Sequence, residues 1–522
     1  MKKLAILSAL LFVALPLFAQ LTPKPAPETR SATVGDVNGD GLTDVLDDTT
    51  WQRNVNGQLA APIGLGITGR VLGVLDANGD GAVDLLTTAE AIYSMPPEGP
   101  YSIWMNDGHG HFVKFAAPTN TLPSAQGDIH LPPMIADFDG DGKDDFIVPY
   151  PHLYPDWATR DLAFYRSRGD GTFEQTDFVT IHLQSDWYMT QVGRQRIAAG
   201  DVTGDGKTDI VIKTTGGLLI VAGRGDGKFD ALPERFTSFD YGVGDGLQIA
   251  DIDGDRKNDV IWNNGNSLVT VFFGDGHGGF SRMATGQAGP LDPEGSSPTG
   301  ATLALIHFSS TQRWDVALGS PHSNVSVMTY SNGTLHEAAR ITLAAPEPNE
   351  GPGFWYRGFN VFAGKFRTDS PADLYAFNSW DQPMAQRAFL LFQDKEAEDV
   401  GQPRRRAAGR PGTSTLPIKA DSLTLHIVPG YVDLITGRCY GIEETLDFDR
   451  DGIFAGGTTK SGKHVDAIME PNDAVIRFGS FSGDVMYGTL RRVDDGHYKG
   501  TTHWKTTCAG QSFDIDIDAY RQ

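Results

Sequence analysis

Cysteine is almost missing from this 522-residue chain: Cys439 and Cys508 are the only two, both near the C-terminus. Long apolar runs are missing too once the first twenty residues are passed, so no later segment is long and apolar enough to span a bilayer as a helix. Basic charge is sparse. The net charge is −23, and the one basic run, Arg404–Arg406, reads as part of a solvated linker, which excludes nucleic acid as a partner. Signatures of catalysis are absent as well. There is no G-x-S-x-G, no H-E-x-x-H and no phosphate loop, and the thirteen histidines are scattered rather than spaced as ligands.

What the start does have is Lys2 and Lys3 ahead of an apolar stretch from Leu4 to Phe18, closed by the small Ala19. That is the pattern of a secretory signal peptide over residues 1–19. Leu17 is larger than the residue expected two before Ala19, which leaves an uncleaved anchor as the alternative. No cysteine follows the run, so a lipid anchor is excluded there. The expectation is a secreted or extracytoplasmic monomer, periplasmic or cell-surface, with no membrane span after cleavage. In that setting Cys439 and Cys508 are read as a disulfide in preference to two buried thiols.

With 62 glycines and 30 prolines, the chain is built for turns and short strands, and its length requires several domains or one large repeat array. Its acidity is concentrated in a few loops. Residues 135–148 read IADFDGDGKDDFIV, with Asp137, Asp139, Asp141 and Asp145 at positions 1, 3, 5 and 9 of a loop. So many like charges are costly to hold together unless a cation sits among them. Gly140 and Gly142 let the backbone curl until Lys143 offers its carbonyl at position 7. This oxygen-only set suits a hard cation, Ca²⁺ first, and offers nothing soft for zinc or copper.

The loop recurs: GDVNGDGLTDVL from Gly35, LDANGDGAVDLL from Leu75, ADFDGDGKDDFI from Ala136, GDVTGDGKTDIV from Gly200 and ADIDGDRKNDVI from Ala250. Two worn copies follow, IHFSSTQRWDVA from Ile306 and GKFRTDSPADLY from Gly364. All seven keep an aspartate at position 9: Asp44, Asp84, Asp145, Asp209, Asp259, Asp315 and Asp373. Between them lie Gly-rich turns such as NDGHGHF at Asn106, RGDGTF at Arg168 and RGDGKF at Arg224, each flanked by alternating segments in the manner of a hairpin. One repeat is then strand A, acidic loop, strand B, long connection, strand C, Gly-rich turn, strand D. Four antiparallel strands per repeat make a propeller blade, and seven repeats make seven blades. The last repeat lacks an obvious fourth strand. Residues 20–30, with LTPKPAPETR from Leu21, could close the ring as an outer edge, where prolines are tolerated.

On these motifs residues 31–395 resemble the FG-GAP or VCBS-type repeat proteins and, in architecture, the seven-bladed propeller of integrin alpha subunits. The resemblance implies metal ligands at Asp36, Asn38, Asp40 and Asp44; at Asp76, Asn78, Asp80 and Asp84; and at Asp137, Asp139, Asp141 and Asp145. It implies the same at Asp201, Thr203, Asp205 and Asp209, and at Asp251, Asp253, Asp255 and Asp259, giving about five Ca²⁺ sites. The main-chain carbonyls of Leu42, Ala82, Lys143, Lys207 and Lys257 complete them. Thr203 is a poorer ligand, Arg256 replaces a loop glycine, and His307 and Lys365 stand at position 1 of the worn copies, which are expected to be metal-free. An EF-hand or dockerin loop shares positions 1 to 9 but needs an acid at position 12 and flanking helices, and only the first copy has the acid, Asp47.

Residues 396–414 read as a linker and residues 415–522 as a small antiparallel sandwich or barrel, with Phe513, Ile515 and Ile517 on one face and Asp514, Asp516 and Asp518 on the other. Asp447, Asp449 and Asp451 have ligand spacing but Ala455 at position 9, so an ordinary polar turn is expected there. The fold class is therefore all-β, a seven-bladed propeller followed by a small β domain. The functional expectation is a calcium-binding adhesion or recognition module for a carbohydrate or protein ligand, not an enzyme. A propeller-based polysaccharide lyase or glycoside hydrolase is the alternative, and a dockerin-like assembly protein a further one. A ligand face is expected opposite the acidic loops, where the long connections hold Tyr150, Tyr154, Trp157, Trp187, Tyr188, Trp355, Tyr356 and Trp380.

Overall fold

The computed structural model describes residues 21–393 except 30–31, 89–100, 116–132, 152–158, 183–196, 214–216, 233–234, 237–245, 264–267, 290–301, 311, 321–323, 344–358, 371–372 and 379–386. It also describes residues 422–521 except 430, 435–436, 441–443, 452–453, 460–463, 470–474, 481–485 and 506–511. The described residues are strands and tight connections, without a helix.

Central blade strands are buried on both faces, because each blade is sandwiched between two others. They accordingly read as continuous apolar runs rather than as alternation. Asp209–Lys213, Asp259–Asn263 and Asp373–Phe377 are buried at every residue. Outer strands such as Thr334–Thr342 keep a wet face. The sheets follow chain order, as in Met134–Ala136, Asp145–Pro151, Thr159–Ser167 and Phe173–His182 of the third blade, every neighbour antiparallel. Inner strands crowd at the axis. A Cβ on Gly200 would stand 2.7 Å from Ile249 of the next blade, and one on Gly246 2.3 Å from Leu303.

The seventh blade is completed from the other end of the chain. Leu21–Pro25 pairs antiparallel with Ala388–Gln393, setting Pro23 opposite Leu391 and Pro25 opposite Phe389 on the outer edge of a sheet whose other strands are Asn360–Gly364 and Asp373–Phe377. On that edge the missing proline N–H groups face away from the ladder.

The propeller core consists of seven seams, one between each pair of blades. Leu75, Leu86 and Ile103 of the second blade, for example, meet Phe146, Val148 and Phe173 of the third. The last seam joins Phe366, Tyr375 and Leu390 of the seventh blade to Ala26, Val45 and Leu59.

Strands from Ser422–Pro429 to Ser512–Arg521 form a closed eight-stranded barrel, which decides between sandwich and barrel. Closure comes from the pairing of those two strands. Leu425, Phe448, Ala467, Phe478, Tyr498 and Ile517 fill the interior. Asp447, Asp449 and Asp451 lie in the strand Glu444–Asp451 of this barrel, not in a ligand loop. Ile468, which alternates with the inward Ala467 and Met469, joins the seam between the fourth and fifth blades.

Candidate metal centres

Each acidic loop connects strands A and B of its blade, and is flanked by strands as in Gly246–Ala250 and Asp259–Asn263. That disposes of the dockerin alternative, whose loops require helices. The position-1 carboxylate caps the curl. In loop 3, Asp137 Oδ1 accepts from the amides of Gly140 at 2.7 Å and Asp141 at 3.1 Å, and Oδ2 from Gly142 at 3.0 Å. Asp76, Asp201 and Asp251 each hold the same three amides of their own loops, and Asp36 holds those of Asp40 and Gly41. The curl requires left-handed backbone: φ is 76° at Gly140 and 85° at Gly142. Arg256 takes 71° at the equivalent point of loop 5 and still donates its amide to Asp251 at 2.8 Å, so the substitution strains the loop without opening it.

Position 5 accepts from the amide of position 7. Leu42, Ala82, Lys143, Lys207 and Lys257 donate to Asp40, Asp80, Asp141, Asp205 and Asp255. Position 3 comes in three forms, one of them Thr203 of loop 4, whose amide donates to Asp209 at 2.9 Å. In loops 1 and 2 the amide groups of Asn38 and Asn78 donate to Asp40 at 3.0 Å and Asp80 at 2.8 Å. In loops 3 and 5 an aspartate replaces the asparagine and an arginine is added: Arg166 pairs with Asp139 and Arg282 with Asp253. The Arg282 guanidinium carbon itself lies over the Phe273 ring, 3.8 Å from its centroid. The extra negative charge thus has its own cation. Burial is the largest influence on the Asp141 carboxyl and pushes it up, but the Lys143 ammonium at 2.6 Å, the Lys143 amide and the Arg166 charge together hold it below its usual range.

Position 9 is buried and bridges two parts of its blade. Asp145 accepts from the Phe138 amide at 3.1 Å and, on its other oxygen, from the Ser167 amide at 2.7 Å, where strand C ends. Asp44, Asp84, Asp209 and Asp259 repeat the pair of bonds with Val37 and Asn54, Ala77 and Asn106, Val202 and Gly223, and Ile252 and Gly274. Burial pushes Asp44, Asp145 and Asp259 up to about 7 and Asp84 to about 6, against those amide bonds; Asp209 moves the same way. A buried carboxylate in this position is short of positive charge.

Oxygen atoms of Asp137, Asp139 and Asp145 lie within 4.8 Å of one another, as do those of Asp251, Asp253 and Asp255. Loops 1, 2 and 4, with three aspartates each, bring no such three-carboxylate group together among the described residues. All five loops nonetheless share the amide-lined curl, so the donor set fits a hard divalent cation. The worn loops are filled by protein. His307 donates through Nδ1 to the Arg313 carbonyl at 2.9 Å and stacks on Trp314, and Arg367 reaches Asp373 at 3.0 Å.

Two columns of the loop were missed by the ligand reading. Position 2 is apolar in all seven copies, Val37, Ala77, Phe138, Val202, Ile252, Phe308 and Phe366, and each side chain is buried in the seam with the following blade. Position 8 carries short polar residues, Thr43, Asp144, Thr208 and Asn258, that bond across that seam. The apolar column was visible in the aligned copies. The cross-seam bonds were not, because they join positions 57 to 71 residues apart, and 322 apart across the closing seam.

Of the expected ligand face, Tyr150 lies in the strand Asp145–Pro151. Tyr154, Trp157, Trp187, Tyr188, Trp355, Tyr356 and Trp380 lie outside the described residues, as do the signal segment and Cys508; Cys439 is in the strand Gly437–Tyr440.

Residues 76–148 and 201–262 match the family described as FG-GAP-like repeat, and with the seven blades this makes the N-terminal part of the chain an FG-GAP repeat propeller. The likeness to integrins is one of general architecture. No curated protein matches the chain. Similar solved structures include an Agrocybe aegerita lectin described for recognition of non-reducing terminal N-acetylglucosamine, at 17% identity and TM-score 0.42, over 73% of this chain and 88% of that one. Another is the periplasmic gluconolactonase of Pseudomonas aeruginosa, at 13% identity and TM-score 0.38, over 73% and 97%.

Proposed function

We propose that the protein is a secreted, calcium-stabilised propeller that presents a ligand-binding surface for a carbohydrate or protein, and that it is not an enzyme. The observation that carries the calcium reading is the convergence of three carboxylates in loops 3 and 5 inside a curl already closed by backbone amides. Charge supports it. These loops gather three carboxylates within 4.8 Å of one another in a chain of net charge −23, and divalent cations would relieve that repulsion.

The long connections expected on the face opposite the acidic loops are rich in aromatic residues in the sequence. Trp157, Trp187 and Trp355 are the side chains on which a sugar ring or a protein anchor would stack. A glycan array and cell-adhesion screen of the full-length protein, with and without Ca²⁺, identifies the ligand. Single Trp157→Ala, Trp187→Ala and Trp355→Ala variants then test the face: loss of binding with an unchanged melting temperature supports it, whereas loss of stability with unchanged binding assigns those residues to the loop core.

A further inference from the structure

Every acidic loop is gripped by the blade that follows it. The position-2 side chain is buried in that seam, as Phe138 of the third blade is among Ile210, Leu219 and Phe229 of the fourth. The carbonyl of position 2 is also taken from across the seam. Asn106 donates to Val37 O at 2.8 Å and Ser167 to Ala77 O at 2.8 Å. Position 8 of the following loop then reaches the backbone of position 1. Asp144 accepts from the Asp76 amide at 2.7 Å while its own amide donates to Asp76 O at 3.2 Å. Thr208 donates its hydroxyl to Asp137 O at 3.0 Å, and Asn258 its amide to Asp201 O at 2.8 Å.

The contact has one direction around the ring. Asp76, Asp137 and Asp201 are position-1 ligands of loops 2, 3 and 4, and their partners belong to loops 3, 4 and 5. Thr43 makes the same contact with Lys365 across the closing seam, accepting from its amide at 2.9 Å. In the second blade the apolar Val83 stands at position 8, its methyl groups 3.5 and 3.6 Å from where a Cβ on Gly35 would stand. In the sixth, Trp314 stacks on His307 of its own loop.

Resting on the calcium reading above, we infer that Asp144, Thr208 and Asn258 are positioning residues for the metal in the preceding blade: each fixes the backbone of a position-1 ligand that belongs to a loop other than its own. The reason is mechanical. Position 1 supplies one ligand and organises the amide curl that brings positions 3 and 5 to the cation, so a shift of its backbone displaces the whole donor set. Preorganisation of this kind appears as affinity.

Thr208→Val removes the hydroxyl with little change of shape. A single neutral hydrogen bond contributes roughly 0.5–1.5 kcal/mol, so calcium affinity at one site is expected to fall about two- to tenfold. The test is a calcium titration of full-length protein against a chromophoric chelator in three backgrounds. The effect of Thr208→Val is expected in the parent and in Asp205→Ala, which lacks the site of its own loop. It is expected to vanish in Asp141→Ala, which lacks the site of the preceding loop. Thr208→Ser, which keeps the hydroxyl, is expected to restore the parent isotherm, a rescue that loss of general stability would not give. Asn258→Leu repeats the test one seam on, against Asp205→Ala and Asp255→Ala. An unchanged isotherm in Thr208→Val, or an effect that persists in Asp141→Ala and disappears in Asp205→Ala, overturns the inference while leaving the calcium sites in place. A parent that binds no calcium overturns both.

Discussion

At the scale of single residues, position 9 has two tasks that can be separated. In the five acidic loops its carboxylate ties the loop to the end of strand C, and on the proposed calcium reading it also belongs to the metal-ligand set. In the worn sixth copy the tie remains without the set. Asp315 accepts from the Phe308 amide at 3.0 Å, the Ser309 amide at 2.6 Å and the Thr329 hydroxyl at 2.8 Å. Asp315→Ala leaves buried donors without an acceptor and is expected to cost roughly 3 kcal/mol, measured by urea unfolding in chelator. Burial, the largest influence, pushes the Asp315 carboxyl above its usual range against those hydrogen bonds. A group raised in this way adds stability below its unfolded value of about 3.9 and loses it as pH rises through the higher folded value. The stability advantage of the parent over Asp315→Asn is therefore expected to shrink from pH 4 to pH 7.5. A pH-independent difference in melting temperature contradicts the buried, raised carboxyl.

At the scale of elements, the acidic loop is the unit that the local pattern reveals most fully. Aspartates at odd positions, glycines at the curl and an apolar strand directly after Asp145 or Asp209 all lie within a dozen residues, so their meaning is local and repeats. The outcome is the amide-lined curl in every good copy. Partners brought by the ring were hidden. Nothing near Asp139 announces Arg166, and nothing near Asp76 announces Asp144. The same holds for the outer strand Leu21–Pro25, which pairs with Ala388–Gln393 from the far end of the chain, and for the barrel, closed by Ser422–Pro429 against Ser512–Arg521. Asp141→Asn is expected to lower the calcium-bound melting temperature by several degrees and to leave that of the chelated protein nearly unchanged. Asp369→Asn, at an exposed carboxylate 3.9 Å from Arg367, is expected to change neither. Equal effects of the two, read by thermal unfolding with and without Ca²⁺, contradict the distinction between working and worn loops.

At the scale of the whole molecule, stability resides in seven seams and one barrel, and the loops proposed to take calcium are those whose position-2 side chains are buried in the seams. The barrel brings a separate prediction: a Cys439–Cys508 bridge would close a loop of about seventy residues, contributing on the order of 4 kcal/mol in the chain-entropy model. Non-reducing peptide mass spectrometry of exported protein is expected to find that pair, and two free thiols would exclude it. For the propeller, each occupied site adds about 2.7 kcal/mol when calcium is a hundredfold above its dissociation constant, in the limit of independent sites. The most direct measurement is a thermal unfolding series of full-length protein, stripped with chelator and returned to rising Ca²⁺. The propeller transition is predicted to climb steadily with calcium concentration and to be lowest in chelator. A transition at the same temperature in chelator and in millimolar calcium would contradict the account.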